Sequence, residues 1–390
     1  MKNERYAVLD IRSFELTFLI GSKGLNDTFV ICDKKSEGYE GFSREGFFDE
    51  QSFCDAVSSV VTSVKKTYEG KIETVYVGTP APFISLKTMG HTISFPKKRK
   101  LTAPDVDALF ESGLSELASS GKCIRRSAMY FSTGESTNKY YSADGLYGAV
   151  ASSLKGGLCY YFADEHFCEL VKTTLVKLGI KQVEFLPDTL AQSMYLLPEK
   201  EREGYAFLLD IGFMTSSISV VYGNGIVHEE SFSCGLASIL VSLMENLGVE
   251  YEKAEEILRS ANISGGSVSG DQLWTDDKGT AFAVSKINEV IKYGLDILCE
   301  QVQNFFAKYY QEKAAAVVMN NTLWITGEGT EGIAGVAEHI SRRLNRMPKI
   351  VTPDLPYYDK ASYSSRIALL AMATMQKPKK KGFRLFGGRK

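Results

Sequence analysis

A strand that ends in aspartate and turns straight into a second strand occurs twice in this sequence, about 200 residues apart. The first copy is Tyr6-Ala7-Val8-Leu9-Asp10-Ile11-Arg12-Ser13, followed by Leu16 to Ile20. The second is Ala206-Phe207-Leu208-Leu209-Asp210-Ile211-Gly212, continuing through Thr215-Ser216-Ser217 into Ile218 to Val221. Short apolar runs broken by turn residues are the pattern of buried strands, and their recurrence predicts an internal duplication with two similar lobes. A third segment, Leu323 to Thr326 with Gly327-Glu328-Gly329, is a strand entering a glycine turn, after which Ile333 to Ala337 opens a helix. Together these describe a cleft where backbone N–H groups meet phosphates and carboxylates hold a hydrated Mg²⁺.

The 390 residues, 44% apolar and 24% charged, are those of a folded chain with two or three domains. No run approaches the ~18 apolar residues of a spanning helix, and Glu4 and Asp10 stand where a leader is basic and then apolar. A cytoplasmic chain is expected. The seven cysteines are scattered without a C-x-x-C pair, so reduced thiols are expected rather than a disulfide framework or a zinc site. The net charge of −2 points to no specific nucleic acid. Its distribution is uneven: Lys377 to Lys390 holds seven basic residues and no acid, leaving 38 basic against 47 acidic residues before it.

On these motifs the chain resembles the actin-like ATPases, and within them the bacterial cell-division family FtsA, over nearly its whole length. Asp10 to Ser13 falls on the family's first phosphate motif, Asp210-Ile211-Gly212 with Thr215 and Ser216 on the second, and Thr326 to Gly329 on the adenosine motif. The resemblance implies ATP and Mg²⁺ as cofactors, with Asp10 and Asp210 as metal and catalytic residues. It places Arg12, Ser13, Gly212, Thr215, Ser216, Glu255, Gly327 and Gly329 beside the nucleotide. Asp188, in Asp188-Thr189-Leu190-Ala191, falls on the connecting-helix signature that orients the attacking water; capping a helix is the alternative. Glu255 belongs to an Ala-Glu pair near the nucleoside. Gly327 and Gly329 equally suit a plain turn leading into a helix.

Departures from the family pattern are concentrated in the phosphate loops. Arg12, Phe213 and Met214 stand where the family has glycine, and Ser217 where it usually has Asp. Glycine serves there because a Cβ obstructs the approach of a backbone N–H to a phosphate oxygen. Phe213 and Met214 are therefore expected to cover the phosphate site or to push the loop away. Two roles suit Arg12: chelating a phosphate, or filling the empty phosphate position and pairing with Asp10 or Asp210.

The expected fold is α/β, an actin-like two-lobed ATPase fold of duplicated ribonuclease-H-like domains with an FtsA-type inserted α+β subdomain. Residues 1–83 and 163–203 form the first lobe core with a C-terminal helix over 356–376, and 84–162 the insertion. Within the insertion Thr102 caps a helix to about Ser120, with Asp105 completing the cap. Strands are expected over 127–131, 139–142, 147–153 and 158–162. Residues 204–235 and 311–355 form the second lobe core, and 236–310 its small subdomain, with helices over 237–247, 251–260 and 283–310. FtsA receives the C-terminal peptide of FtsZ on that subdomain, but Tyr293 replaces a family Arg and Asp296 a family Glu. Lys286, Lys292 and Lys308 leave a basic face there.

Residues 377–390 form a basic tail in the position of the FtsA membrane helix. Lys379, Lys380, Lys381, Phe383, Arg384, Leu385 and Phe386 are its candidate membrane residues, on an anionic surface at the inner face of the cell membrane. Gly382, Gly387 and Gly388 disfavour a helix, so adsorption with shallow insertion is expected; a solvated basic tail is the alternative. The expected function is a self-associating scaffold in cell division that tethers a partner such as FtsZ and has a degenerate nucleotide cleft. A nucleotide-gated polymerising ATPase and a pilus-assembly adaptor resembling PilM are the alternatives.

Overall fold

The computed structural model describes residues 4–26, 28–117, 121–134, 136, 138–264, 272–312 and 321–376; the tail residues named above lie outside these. The first sheet begins with β1 (Arg5–Ile11), β2 (Glu15–Lys23) and β3 (Phe29–Gly38). A small hairpin, β4 (Phe42–Ser43) and β5 (Gly46–Phe47), and the helix α1 (Glu50–Thr67) lead to β6 (Thr74–Thr79). The chain then forms β7 (Ile84–Lys100), α2 (Ala103–Ser115), β8 (Lys122–Thr133) and β9 (Val150–Ala163), and returns through α3 (Glu165–Lys177) to β10 (Gln182–Pro187).

Helices α4 (Asp188–Leu196) and α5 (Glu199–Glu203) connect to β11 (Ala206–Ile211), β12 (Ser216–Tyr222) and β13 (Gly225–Phe232). Next come α6 (Leu236–Leu247), α7 (Tyr251–Ser260), the hairpin β14 (Leu273–Thr275) and β15 (Ala281–Ala283), and α8 (Val284–Glu312). The chain closes with β16 (Leu323–Thr326), α9 (Val336–Leu344), β17 (Pro348–Ile350) and α10 (Ser364–Thr374).

Two mixed five-stranded sheets result, in the orders β10-β6-β1-β2-β3 and β13-β12-β11-β16-β17. Each is built the same way. An antiparallel meander carries the Asp-bearing strand, β1 or β11, and parallel strands are added on that strand's other side. In β1, Ala7, Leu9 and Ile11 enter the core with α1 and α3, whereas Tyr6 and Val8 face α4 and α10. In β11, Phe207, Leu209 and Ile211 enter the core under α6 to α9, whereas Ala206 and Leu208 face the other way. Side chains alternate along a strand, so Asp10 and Asp210 both leave their sheets on the faces that α4 lies between.

The remaining sheet, β7-β9-β8, packs under α2. Its length departs from the sequence expectation. One strand, Val150–Ala163, replaces two, and residues 139–142 make only a single bridge, Tyr140 to Phe131. Strand β7 had no apolar run to announce it, since its side chains alternate with solvent and the register shifts between Ser94 and Arg99, around Pro96. Thr102 begins α2 as expected, its N–H donating to the Asp105 carboxylate at 2.8 Å, but the helix stops at Ser115. The long helix α8 buries Ile287, Val290, Ile291, Leu295, Leu298, Val302 and Phe305, the apolar face its periodicity predicts.

Candidate functional site

The two Asp-bearing turns meet between the lobes. Arg12, just past β1, forms two parallel hydrogen bonds with Asp210, Nη1 to Oδ2 at 2.7 Å and Nη2 to Oδ1 at 2.8 Å. Gln192 of α4 donates to the same Asp210 Oδ2 at 2.9 Å. Glu328 lies 3.7 Å from Arg12 Nε. Of the two partners open to Arg12 in the sequence, the fold therefore selects Asp210. Asp10 has a separate cation: Arg366 Nε is 3.4 Å from Oδ2, and Ser365 Oγ donates to Oδ1 at 2.5 Å. Each aspartate thus has an arginine of its own chain as counterion.

Contacts continue along the two loops. The Met214 N–H donates to Ser13 Oγ at 2.9 Å, and the Phe14 and Phe213 rings stack with centroids 4.5 Å apart. Three successive residues of the first loop, 12 to 14, therefore touch 210, 214 and 213 of the second. Tyr39 holds the first loop from behind, its hydroxyl donating to the Arg12 carbonyl at 2.6 Å. What remains between the loops is a cavity of about 30 Å³ bordered by Arg12, Ser13, Asp188, Gln192, Asp210 and Thr215. That is room for a water or two.

No protein-family model and no curated protein matches the sequence. Solved structures do match its fold. The PilM–PilN type IV pilus biogenesis complex superposes with a TM-score of 0.61 at 10% identity, covering 95% of this chain and 99% of that one. The ethanolamine utilization protein EutJ from Carboxydothermus hydrogenoformans gives 0.53 at 10% identity over 95% and 91%. MreB5 of Spiroplasma citri bound to ADP gives 0.52 at 9% identity over 95% of both chains.

The chain has the actin-like ATPase fold.

Within that actin-like cleft the predicted residues divide. Arg12, Ser13, Asp188, Asp210, Thr215 and Ser216 line the small cavity, whereas Asp10 is outside its lining, held by Ser365 and Arg366. Ser216 is committed to its own lobe, donating to the Cys234 carbonyl at 2.7 Å, and the Gly212 carbonyl accepts from Leu236 N–H at 3.1 Å. Gly327, with φ of 91°, lies against Asp210 and the Ile211 backbone, where a Cβ would collide with both. Its glycine is required by the approach to Asp210. Gly329 packs on Ile211 in the same way. Glu255 lies apart, in an ion pair with Arg259 at 2.7 Å. Next to Arg259, an open cavity of about 700 Å³ runs along Asn262, Gly332, Gly335 and Ile350.

Asp188 is no exposed cap. It is 3% exposed, Pro187 takes the cap position of α4, and its Oδ1 has no hydrogen-bond partner. Burial, with the negative charge of Asp10 adding to it, pushes the Asp188 carboxyl well above the usual carboxylate range. A raised carboxyl keeps its proton to higher pH than an exposed one. Burial opposes the charge of Asp210 too, but the Arg12 guanidinium and the hydrogen bonds from Arg12 and Gln192 outweigh it and hold that carboxyl below its ordinary value. Thr189 Oγ1, Gln192 Oε1 and Thr79 Oγ1 also lack partners in this region. Among the described residues, no three His, Cys, Asp or Glu side chains are grouped as a metal would need.

Four contributors escaped the sequence reading: Tyr39, Gln192, Ser365 and Arg366. Only Arg366 carried a signal, a lone cation opening the apolar run Ile367 to Ala373, where burial of the whole helix forces it to find an acid. On α8, Asp296 is already engaged by His339 at 2.7 Å and Arg343 at 2.8 Å. Lys286 donates to the Asn246 carbonyl at 2.9 Å, Lys308 lies 3.8 Å from Glu230, and Tyr293 stands exposed.

Proposed function

We propose that this chain is an actin-like scaffold whose lobes are latched by its own side chains rather than by ATP and Mg²⁺, and that it serves as a self-associating adaptor at the inner face of the membrane. The observation that carries this reading is the Arg12–Asp210 ion pair, which fills the position between the two Asp turns. Asp10, Asp188 and Asp210 then act as a structural core of the cleft, not as a catalytic set.

An FtsA-type role in cell division is the finer form of the proposal. It is supported by the order of the motifs, by the α+β segment 84–162 between β6 and α3, taken as the inserted subdomain, and by the basic tail. FtsZ docking on the small subdomain has less support, because Asp296 is consumed internally and Tyr293 replaces the basic residue. The fold likeness to the PilM–PilN structure favours a second reading, a pilus-assembly adaptor that binds a cytoplasmic peptide of an inner-membrane partner and needs no basic tail.

Isothermal titration with ATP–Mg²⁺ tests the latch. The parent is expected to give no saturable heat, and Arg12→Gly with Phe213→Gly and Met214→Gly to gain binding. Micromolar binding by the parent, with phosphate release abolished by Asp210→Ala, overturns it.

A further inference from the structure

A second recess, separate from the latched cleft, lies between β8, α4 and α10. It encloses about 480 Å³, a volume typical of ligand pockets, and its wall is apolar, with Phe131, Tyr195, Met194, Met372 and Met375. Methionine is the side chain best suited to adapting around varied apolar groups. Three arginines line the recess, Arg125, Arg126 and Arg202, and no Asp or Glu does.

Only one of the three is paired: Arg126 contacts Glu111 at 2.5 Å. Arg202 is 7% exposed, yet it donates to neutral acceptors, the carbonyls of Leu197 at 3.2 Å and Gly223 at 2.7 Å, and to the Asn224 side chain. Arg125 donates to the amide oxygen of Gln376 at 2.9 Å. Burial holds both guanidiniums below the ordinary arginine value, with Tyr161 offsetting it for Arg125 and Glu199 and Glu203 for Arg202. A buried cation whose hydrogen bonds all go to neutral groups is an incomplete ion pair, and an anion entering the recess completes it.

We infer that this recess receives a short peptide of a partner protein, apolar side chains lying on the methionines and carboxylates meeting Arg125 and Arg202. The inference deepens the adaptor reading, which supplies the existence of a partner. Charge excludes the chain's own basic tail as occupant. Burial argues against a bilayer: Arg202 is almost wholly covered, so a peptide side chain entering the recess meets it and a flat headgroup layer does not.

The test titrates the full chain with fluorescein-labelled octapeptides combining Leu and Phe with Asp or Glu, with Asn/Gln and Lys versions, and separately with phosphatidylglycerol vesicles. Acidic peptides are expected to bind, amide versions at least about tenfold more weakly, and Lys versions not at all. Arg125→Gln should weaken the acidic peptides by about tenfold or more. So should Met375→Glu, at a position 74% exposed where folding is not at stake. No preference for acidic peptides, or affinities unchanged in both variants, overturns the inference. So does vesicle binding that Arg125→Gln abolishes while no peptide binds, an outcome that assigns the recess to lipid. Silent ATP titration with failed peptide binding sinks only this inference; ATP binding with successful peptide binding sinks only the latch.

Discussion

Arg12 and Asp210, 198 residues apart in sequence, meet in a bidentate ion pair that joins the two lobes. Removing one partner leaves the other charge buried and costs about 3–5 kcal/mol, whereas replacing both by apolar residues is often neutral. Arg12→Met and Asp210→Leu are each expected to destabilise by about that amount, and the double variant to recover most of it. Urea melts of the four proteins measure the coupling. Losses that simply add would show the pair contributes nothing as a latch. The sign with pH follows from Asp210 being held below its ordinary value. Its contribution is full above the unfolded carboxylate value of about 4 and fades as pH falls through the lower folded value, so parent and Asp210→Asn should converge in acid.

Glu229 predicts the opposite slope. Burial pushes its carboxyl up to about 7, with the nearby Thr189 hydroxyl offsetting only part of that, and one of its oxygens lacks a partner. The unfolded chain ionises near 4.5, so stability is lost as pH rises from there through 7 and stays lost above. Glu229→Gln is expected to be more stable than the parent by roughly 3 kcal/mol at pH 8, with the advantage gone at pH 4. Thermal or urea melts at the two values decide it. A difference that does not change with pH would falsify this account.

How far the sequence reached depends on the range of the interaction involved. The apolar runs and the turn residues around Asp10 and Asp210 are local, and they located both strands. The choice of Asp210 over Asp10 for Arg12 is not local: it follows from Arg366, hundreds of residues later in the chain, having already taken Asp10. Asp188 falls on a signature for orienting water, with a helix cap as the alternative; its burial against Gly78 of β6 is a long-range outcome that the local pattern does not carry. Strand β7 was illegible for a different reason. Its alternate side chains face solvent and its end is Pro96-Lys97-Lys98-Arg99-Lys100, a composition that local patterning assigns to loops.

Gly223 tests the junction between the β7-β9-β8 sheet and the second lobe. It has φ of 56° in the β12–β13 turn, and a Cβ there would strike the Met129 carbonyl of β8. The neighbouring Asn224 side chain donates to Tyr141, and Tyr205 stacks on Tyr222 at 4.3 Å. Gly223→Ala should cost more than about 1 kcal/mol and raise hydrogen exchange in β8 before the rest of the chain. Cutting out 84–162 altogether should unfold the first lobe, since Cys159 and Tyr161 are buried with Leu190 and Ala368 in the core between β1 and α10. A folded, soluble remainder after that deletion would show that the segment is an independent appendage.

The basic segment Lys377 to Lys390 follows directly on Gln376, which Arg125 holds at the end of α10. Seven cations near an anionic leaflet contribute at most roughly 1 kcal/mol each, a salt-sensitive attraction that avidity multiplies when subunits associate. Co-sedimentation should show binding to anionic and not neutral vesicles, lost at high salt, lost on truncation after Gln376, and weakened by Phe383→Ser with Phe386→Ser. Arg125→Gln should leave this binding intact, because the recess and the tail are expected to serve different partners. If the truncated chain sediments as well as the parent, the anchor lies elsewhere. The same vesicles then probe polymerisation: assembly should be indifferent to ATP–Mg²⁺ if Arg12 does the work of the nucleotide, and a requirement for ATP would count against a self-latched scaffold.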